Sequence, residues 1–175
     1  MGMYPGGNVI KITPTIVADD NADNDVAFNW VELKGVSASK GIATKLQSIA
    51  MYDADDSAAG IEFIFCRGSY SISGGTSAPT TAQNLQDGAA GSAAVDMTGA
   101  EGQAIQVCGS LNVAKSAAKG DFIGSYVVTS NNINFIMQPN PDSTSLFVAG
   151  VWRDDPATTG GTDTLDVYLG FENLS

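Results

Sequence analysis

The sequence contains no histidine, and this absence excludes more chemistry than any other feature of its composition. Histidine is the commonest general base near neutral pH and the usual partner of a serine or cysteine nucleophile. It is also a frequent zinc ligand. We therefore expect neither a Ser-His-Asp nor a Cys-His catalytic site, and no zinc centre that depends on imidazole.

Cysteine is nearly absent as well. Only Cys66 and Cys108 occur in 175 residues, which is far too few for a disulfide-based scaffold. Each lies in an apolar run that favours a strand, where an unpaired cysteine packs as a small hydrophobic residue. The sequence favours two free thiols, and it leaves open a single bridge between neighbouring strands.

Long apolar runs and positive charge are also lacking. No apolar run approaches the roughly 20 residues that span a bilayer, and the amino terminus, MGMYPGGNV, has neither the basic nor the apolar segment of a signal peptide. Eight Lys and Arg stand against 19 Asp and Glu, a net charge of −11, which repels nucleic acid and anionic lipid. We expect a soluble protein, made in a cytoplasm, that binds neither nucleic acid nor membrane.

What remains is the composition of one globular domain. Hydrophobic residues make up 43% of the chain and charged residues 15%, which is typical of a folded protein and not of a disordered one. A chain of this length can bury a core of its own. Glycine and proline near the amino terminus oppose regular structure, so we predict a flexible arm over residues 1–8 and a single domain over 9–175.

A two-residue hydrophobic period runs through most of this domain and indicates strands with one buried face. No long amphipathic helix interrupts the predicted strands, which are 9–17, 26–36, 42–52, 61–67, 104–113, 121–129, 133–138, 146–152 and 165–171. This pattern predicts an all-β fold, an antiparallel β-sandwich or jelly roll of about eight or nine strands.

The clearest alternation predicts which side chains face the core: Ile61, Phe63, Phe65, Leu165, Val167, Leu169 and Phe171. The segments 46–52 and 61–67 are joined by the acidic sequence DADDSAAG, which favours a chain reversal. We therefore predict that these two segments form an antiparallel pair at the centre of the domain. Pro14 cannot donate a ladder hydrogen bond, so the first strand is expected at an edge or with a bulge.

The connections follow from turn-forming residues. Lys119-Gly120 and Asn131-Asn132 are predicted turns between strands. The segment Gly74 to Gly102 is rich in Gly, Ala, Ser and Thr, and we predict a long connection with a short helical turn near Ala82 to Asp87. Connections of this length in a compact domain are usually functional or mobile.

Candidate metal ligands occur in one acidic turn, Asp19 to Asp25, where Asp19, Asn21, Asp23 and Asp25 could surround a hard cation such as calcium. The calcium-loop pattern requires Gly where Asn24 stands and Glu where Trp30 stands, so a solvated turn is favoured. The acidic residues Asp53, Asp55 and Asp56 allow the same two interpretations.

Candidate catalytic and sugar-binding residues carry no distinctive spacing. Carboxylate pairs for glycoside cleavage would come from Glu32, Glu62, Glu101 and Glu172. An aromatic platform would come from Trp30, Trp152, Tyr126 and Tyr168, although alternation with other apolar residues favours core packing for both tryptophans. We therefore predict no catalytic, cofactor-binding or metal-binding residues.

Three segments carry a family resemblance: IAMYDADDSAAGIEFIFCR, NVAKSAAKGDFI and SLFVAGVWRDDPATTGGTDTLDVYLGFE. They resemble structural proteins encoded in the virion modules of tailed bacteriophages, and the resemblance covers roughly Ile42 to Glu172. Several proteins of this class are capsid decoration or cement proteins with β-sandwich or jelly-roll folds. The resemblance implies a non-enzymatic role on the phage capsid surface, binding to the major capsid protein, and a homo-oligomer, most often a trimer.

Two other classes remain open. A phage tail protein or a receptor- or carbohydrate-binding β-sandwich module would be favoured by an exposed row of aromatic side chains. An enzyme is disfavoured by the missing histidine and by the missing motifs. The number of copies in each purified particle would separate a capsid protein from a tail protein.

Overall fold

A computed structural model describes residues 7–17, 24–54, 59–85, 95, 97–114, 118–122, 125–153 and 164–174, and these residues form an almost entirely β structure. The strands in these ranges are β1 (Gly7–Ile12), β2 (Val26–Leu33), β3 (Thr44–Asp53), β4 (Ile61–Cys66), β5 (Ser69–Ser71), β6 (Gly75–Ser77), β7 (Val107–Val113), β8 (Ala118–Phe122), β9 (Ser125–Met137), β10 (Leu146–Trp152) and β11 (Leu165–Asn173). The helical segments are a 3₁₀ turn, Thr81–Gln83, and the helix α1, Gly99–Ala104.

Nine of the described strands form two sheets, so the prediction of an antiparallel sandwich is confirmed. The five-stranded sheet has the order β1-β11-β3-β9-β8, and the four-stranded sheet has the order β2-β10-β4-β7. The remaining two strands, β5 and β6, form a separate hairpin that we call the ribbon.

The strand order is that of a jelly roll. Without the ribbon and β8, eight strands remain, and they pair first with last, second with seventh, third with sixth and fourth with fifth: β1–β11, β2–β10, β3–β9 and β4–β7. All of these pairs are antiparallel. Pairing of this kind arises when one long antiparallel hairpin folds over into two facing sheets.

The core lies between the two sheets, and the predicted inward positions are confirmed. Phe63 and Phe65 are fully buried, as is Leu169. The other predicted core residues of β4 and β11 are also buried, and the alternate residues of β11 are partly or fully exposed. The two-residue period therefore identified the buried face of both strands.

The predicted pairing of the segments around β3 and β4 is wrong. β3 is the middle strand of the five-stranded sheet, whereas β4 lies inside the four-stranded sheet. The two strands therefore lie in different sheets and contribute side chains to the same core. Alternation in the sequence reports which face of a strand is buried, and it contains no information on which strand lies beside it.

Two predicted turns are also wrong. Lys119 and Gly120 lie within β8, which pairs with the first part of β9 from Ala118↔Thr129 to Phe122↔Ser125. Asn132 has a positive φ of 59°, but it lies inside β9 and not between two strands. Leu46 pairs with Phe135 and Ser48 with Asn131, so β9 has a bulge there. Asparagine tolerates the left-handed backbone that such a bulge requires.

The first strand agrees with the expectation for Pro14. β1 is an edge strand that begins at Gly7 and ends at Ile12, two residues before the proline. A proline disfavours helix in the residue before it and cannot donate to a ladder. Residues 1–6 of the predicted arm lie outside the described residues.

Described parts of the connection from Gly74 to Gly102 pack on β2, β4 and β10 at the outer face of the four-stranded sheet. It contributes β6, the 3₁₀ turn and the start of α1, whose N-cap Thr98 forms a capping box with Glu101. Leu85 is fully buried against Val26, Ala149 and Val151 on that face. The connection is thus a packed second layer in its described part.

The residue Ile105 was predicted to lie in a strand, and this is wrong. It caps the C-terminal end of α1, and β7 begins two residues later at Val107. Its side chain is fully buried with Cys66 and Phe147 under the same layer. The helix turns Ile105 onto the outer face of the sheet and not into the space between the sheets.

Candidate functional surface

The space between the sheets is filled by side chains, so the candidate site has to lie on the surface. Phe28 and Phe63 meet in this core with ring centroids 6.2 Å apart. A Cβ atom added at Gly150 would lie 2.4 Å from Cε1 of Phe28, so glycine is required there for the ring to pack. A jelly roll with a close-packed interior acts through its outer faces, edges and loops.

The four candidate carboxylates are each held by different partners. Glu32 lies 3.7 Å from Lys34, and Glu172 lies 2.6 Å from Lys45. Glu101 accepts from the Thr98 backbone in the capping box of α1. The structure therefore gives these carboxylates local structural roles and does not bring them together as a pair.

The carboxylate of Glu62 has hydrogen-bond partners from two other segments at the four-stranded sheet. Its carboxylate accepts hydrogen bonds from the hydroxyl of Ser110 on β7 and from the guanidinium of Arg153 after β10. Arg153 also donates to the side chain of Asn24, just before β2. The Ser110 hydrogen bond and the Arg153 charge lower the pKa of Glu62. This group links β4 to β7 and to the segments that follow β10 and precede β2, so it adjoins all four strands of the sheet.

The acidic candidates for a cation site fall mostly outside the described residues. Residues 19–23 of the first cluster are among them, and Asn24, at the end of the turn, has a positive φ of 74°. Asp53 is buried at the end of β3, and residues 55–56 are also outside the described ranges. Within those ranges, no group of three acidic, cysteine or histidine side chains is arranged to hold a metal.

The predicted aromatic platform is not assembled. Trp152 is buried in the core at 3% exposure, as alternation predicted. Trp30 is half-buried beneath the covering connection, and its indole nitrogen donates to the carbonyl of Gln83 at 2.7 Å. Tyr168 lies on the outer face of the other sheet, and the side chain of Tyr126 is outside the description.

A different pair of aromatic residues lies on the outer face of the five-stranded sheet. The β3–β11 register places Tyr52 opposite Asp166, two residues from Tyr168, so the tyrosines are diagonal neighbours. Each is more than a third exposed. Lys11 lies 2.8 Å from Asp166 and 5.6 Å from the Tyr168 ring centroid, and its hydrogen bond lowers the pKa of Asp166. The register shows this adjacency, whereas the sequence does not.

Both cysteines are free, so the alternative of a Cys66–Cys108 bridge is not realised. Cys66 is buried, and this burial raises the pKa of its thiol to about 12. Cys108 is half-buried, and burial raises the pKa of its thiol as well, while Arg67 acts in the opposite direction. Cys66 is thus the less reactive of the two thiols.

One end of the molecule carries a feature that the sequence analysis missed, the ribbon of β5 and β6. Ile72 lies at its tip with 97% of its side chain exposed. The ribbon begins after Gly68, whose φ of 80° is left-handed and favours glycine. The signal in the sequence is the run SYSISGGTS, in which short polar residues flank a Gly-Gly turn.

A surface pocket of about 440 Å³ lies at the base of the ribbon. We call it the Ile136 pocket; its walls include Ala43, Arg67, Val107, Cys108, Ile136 and Met137. Ile136 and Val107 are 60% and 40% exposed, so the rim presents apolar surface to solvent. The sequence could not reveal this pocket because its walls come from four separate segments of the chain.

The comparisons with known proteins identify no family. No protein-family model matches the sequence, and no curated protein matches it either. The chain is similar to a chain of Desmodium yellow mottle tymovirus at 12% identity and a TM-score of 0.27, over 99% of this chain and 83% of that one. It is similar to the infectious bursal disease virus VP2 subviral particle at 13% identity and a TM-score of 0.18, over 96% of this chain and 42% of that one.

Likenesses at these TM-scores do not establish a shared fold, and the jelly-roll assignment rests on the strand order of this chain alone. The chain spans less than half the length of the VP2 chain. Among the described residues, the helical segments are also too short and too polar to cross a bilayer.

Proposed function

We propose that this protein is a non-enzymatic virion structural protein, a decoration (cement) protein that binds the major capsid protein and stabilises the head of a tailed phage. The observation that carries the proposal is a jelly-roll strand order with a filled interior. Jelly rolls recur in viral capsid proteins. The resemblance of the segments between Ile42 and Glu172 to phage virion proteins supports the same role.

The charge of the chain limits how it can bind a capsid. A net charge of −11 gives little attraction to an acidic shell, so binding depends on apolar contact, hydrogen bonds and strand-edge pairing. β1 is an edge strand that begins at Gly7, so the last two residues of the predicted arm belong to it, and residues 1–6 precede it in the sequence. An extended arm can add main-chain hydrogen bonds along a neighbour's sheet edge.

Several such arms held in one assembly strengthen binding through effective concentration. We therefore propose a homo-oligomer, a trimer, located on the capsid surface after synthesis in the host cytoplasm. No nucleic acid, membrane or cofactor is part of this proposal.

Reconstitution on particles tests the proposed function. Purified protein is added to phage heads that lack it, and bound protein is measured after sedimentation together with the heat resistance of the heads. We expect saturable binding and increased heat resistance. Failure of the intact, folded protein to sediment with the heads would contradict the proposal.

The contribution of the arm is tested by deleting residues 1–6, which leaves every residue of β1 in place. We expect the shortened protein to unfold at the same midpoint and to dissociate from heads on dilution. A matched control replaces the same six residues with a Gly/Ser sequence of equal length. Equal retention of all three proteins would show that the arm has no part in binding.

A second candidate function is a tail or receptor-binding module that binds carbohydrate. The observation that favours it is the exposed pair Tyr52 and Tyr168 on the outer face of the five-stranded sheet, since exposed aromatic rings can stack on sugars. Glycan binding that is lost in Tyr168→Ala, with no binding to heads, would favour this function over decoration.

A further inference from the structure

The tip of the ribbon is an apolar group in an otherwise polar setting. Ile72 is 97% exposed and lies between Ser71 and Ser73. A single exposed apolar side chain is ordinary on a protein surface. Ile72 differs because it projects on a hairpin that the structure holds in place, beside a pocket whose rim includes the exposed apolar residues Val107 and Ile136.

Several hydrogen bonds fix the ribbon. Asp142 accepts from the backbone nitrogen and the hydroxyl of Thr76 at 2.9 and 2.5 Å. The hydroxyl of Ser71 accepts from the nitrogen of Gly74 at 2.8 Å and closes the turn. An anchor that is ordered before binding loses little conformational entropy when it docks.

The Ile136 pocket lies beside the base of the same ribbon. Arg67 lines the pocket and immediately precedes Gly68, where the ribbon begins. Gln106 also lines the pocket, and its side chain donates to the carbonyl of Gly68 at 3.2 Å. Because Ile72 is almost fully exposed, it does not occupy the pocket of its own chain. The pocket is therefore available to the Ile72 side chain of a second copy.

Charge favours contact between these two surfaces. Copies of a chain with a net charge of −11 repel each other over most of their surface. The ribbon, Ser69–Ser77, contains no charged residue. Among the described residues that line the pocket, Arg67 is the only charged one, and it is a cation. The carboxylate of Asp142 contacts the ribbon through Thr76, so an anion beside the ribbon of one copy can approach the cation Arg67 in the pocket of the next.

We propose that the ribbon of one copy inserts Ile72 into the Ile136 pocket of a second copy, in a head-to-tail contact. Each copy then both gives an anchor and receives one, and such contacts form a closed ring when the rotation between copies closes. This inference specifies how the copies of the proposed homo-oligomer contact each other, and it rests on that proposal.

The native cysteine Cys108 offers a direct test, because it lines the pocket. In Ile72→Cys, the tip thiol of one copy would lie within disulfide reach of Cys108 in the next. Copper–phenanthroline and oxygen at alkaline pH, where the Cys108 thiol ionises, should produce linked dimers and trimers that a reducing agent reverses. The matched control combines Ile72→Cys with Cys108→Ser and can form only dimers through two tip thiols. Absence of trimers from Ile72→Cys would overturn the contact.

Complementation tests the contact between the ribbon and the pocket. Ile72→Asp removes the anchor, and Ile136→Asp places a charge in the pocket; both side chains are solvent-exposed, and unchanged unfolding midpoints verify that both variants fold. Loss of one buried isoleucine should weaken association about 10- to 100-fold, whereas Ile72→Val should retain it. A mixture of the two aspartate variants keeps one intact ribbon and one intact pocket, and it should form dimers but no larger species.

The molecular masses of the intact protein and of its variants in solution separate a failure of the proposed oligomer from a failure of the ribbon contact. If intact protein is a monomer at tens of micromolar, both the oligomer and the contact are wrong. If Ile72→Asp assembles as well as intact protein, the oligomer stands and the ribbon contact is overturned. If the mixture of variants stays monomeric, a head-to-tail contact is contradicted.

Discussion

The outer faces of the two sheets differ in how far they are covered. On the four-stranded sheet, every residue of β10 is buried because the connection between β6 and β7 packs over it. On the five-stranded sheet, the outward residues of β11 are exposed or half-buried, as with Tyr168 at 37% exposure. The outer face of β10 is therefore internal to the protein, whereas the outward side chains of β11 reach solvent.

The sequences of the two strands already contain this difference. β10 is LFVAGVW, a continuous apolar run, which is typical of a strand covered on both faces. β11 begins LDVYLGFE, a strict alternation that is typical of a strand with one solvated face. The comparison shows that the outward positions of a strand, and not its inward ones, indicate whether a second layer covers the sheet.

The largest expected effect is in the core that both sheets share. Phe63→Ala removes a fully buried ring in contact with Phe28, and it should lower the free energy of unfolding by about 3–5 kcal/mol. Urea denaturation followed by tryptophan fluorescence measures it. An unchanged midpoint would contradict the inward orientation of β4.

Leu85→Ala tests whether the connection is a packed layer. Leu85 is fully buried against Val26, Ala149 and Val151, so its truncation should lower the free energy of unfolding by about 2–5 kcal/mol. The matched control is Val95→Ala, another aliphatic truncation in the same connection but at a 42% exposed site. Equal midpoints for the two variants would mean that the layer does not contribute to the fold.

The outer face of the five-stranded sheet should be much less sensitive to the truncation of a side chain. Tyr168→Ala removes a side chain of the five-stranded sheet that is 37% exposed, and it should change the free energy of unfolding by about 0.5 kcal/mol or less, as at most surface sites. The same denaturation experiment compares it with Leu85→Ala. A loss as large as that of Leu85→Ala would indicate that this face is also part of the packed structure.

Acid should weaken the covered sheet through Glu62. Its pKa is lowered from the ordinary value of 4.5 by the Ser110 hydrogen bond and by Arg153, so the folded state favours the charged form. This stabilisation is present above the unfolded pKa and is lost as pH falls through the lower folded pKa. In Glu62→Gln, the unfolding midpoint should fall less between pH 5 and strong acid than in intact protein. Parallel pH profiles would contradict the assigned role of this group.

The smallest expected effect is a difference between the rates at which the two thiols are modified. Cys66 is buried under the covering layer with its pKa raised to about 12, whereas Cys108 lines the open pocket. In the native state, a thiol reagent should modify Cys108 first, and Cys66 only on unfolding. Mass spectrometry of labelled peptides measures both rates. Equal rates in native protein would show that the layer over Cys66 opens readily.

Much of the fold could be predicted from local patterns. The two-residue hydrophobic period predicted the buried faces of β4 and β11, and Pro14 indicated an edge position for β1. The partners of the strands could not be predicted, because β3 and β4 each bury one face whether they pair or lie in opposite sheets. The bulge at Asn132 resembles a turn in sequence, since asparagine favours both.

The surface was less predictable than the core. Leu85 was not identified as buried because its neighbours are polar, and Ile105 was assigned to a strand; only the fold places both on the outer face of the four-stranded sheet. The Ile136 pocket combines residues near 43, 67, 107 and 136. Such a site depends on long-range pairing, so no local spacing could have revealed it.

The most direct test of the proposed function is the amount of this protein in purified phage particles, measured by quantitative mass spectrometry against the major capsid protein. We predict a copy number comparable to that of the major capsid protein, and removal of the protein from particles should leave the tail proteins unchanged in amount. A handful of copies per particle would place it in the tail. Its absence from particles would contradict the virion role.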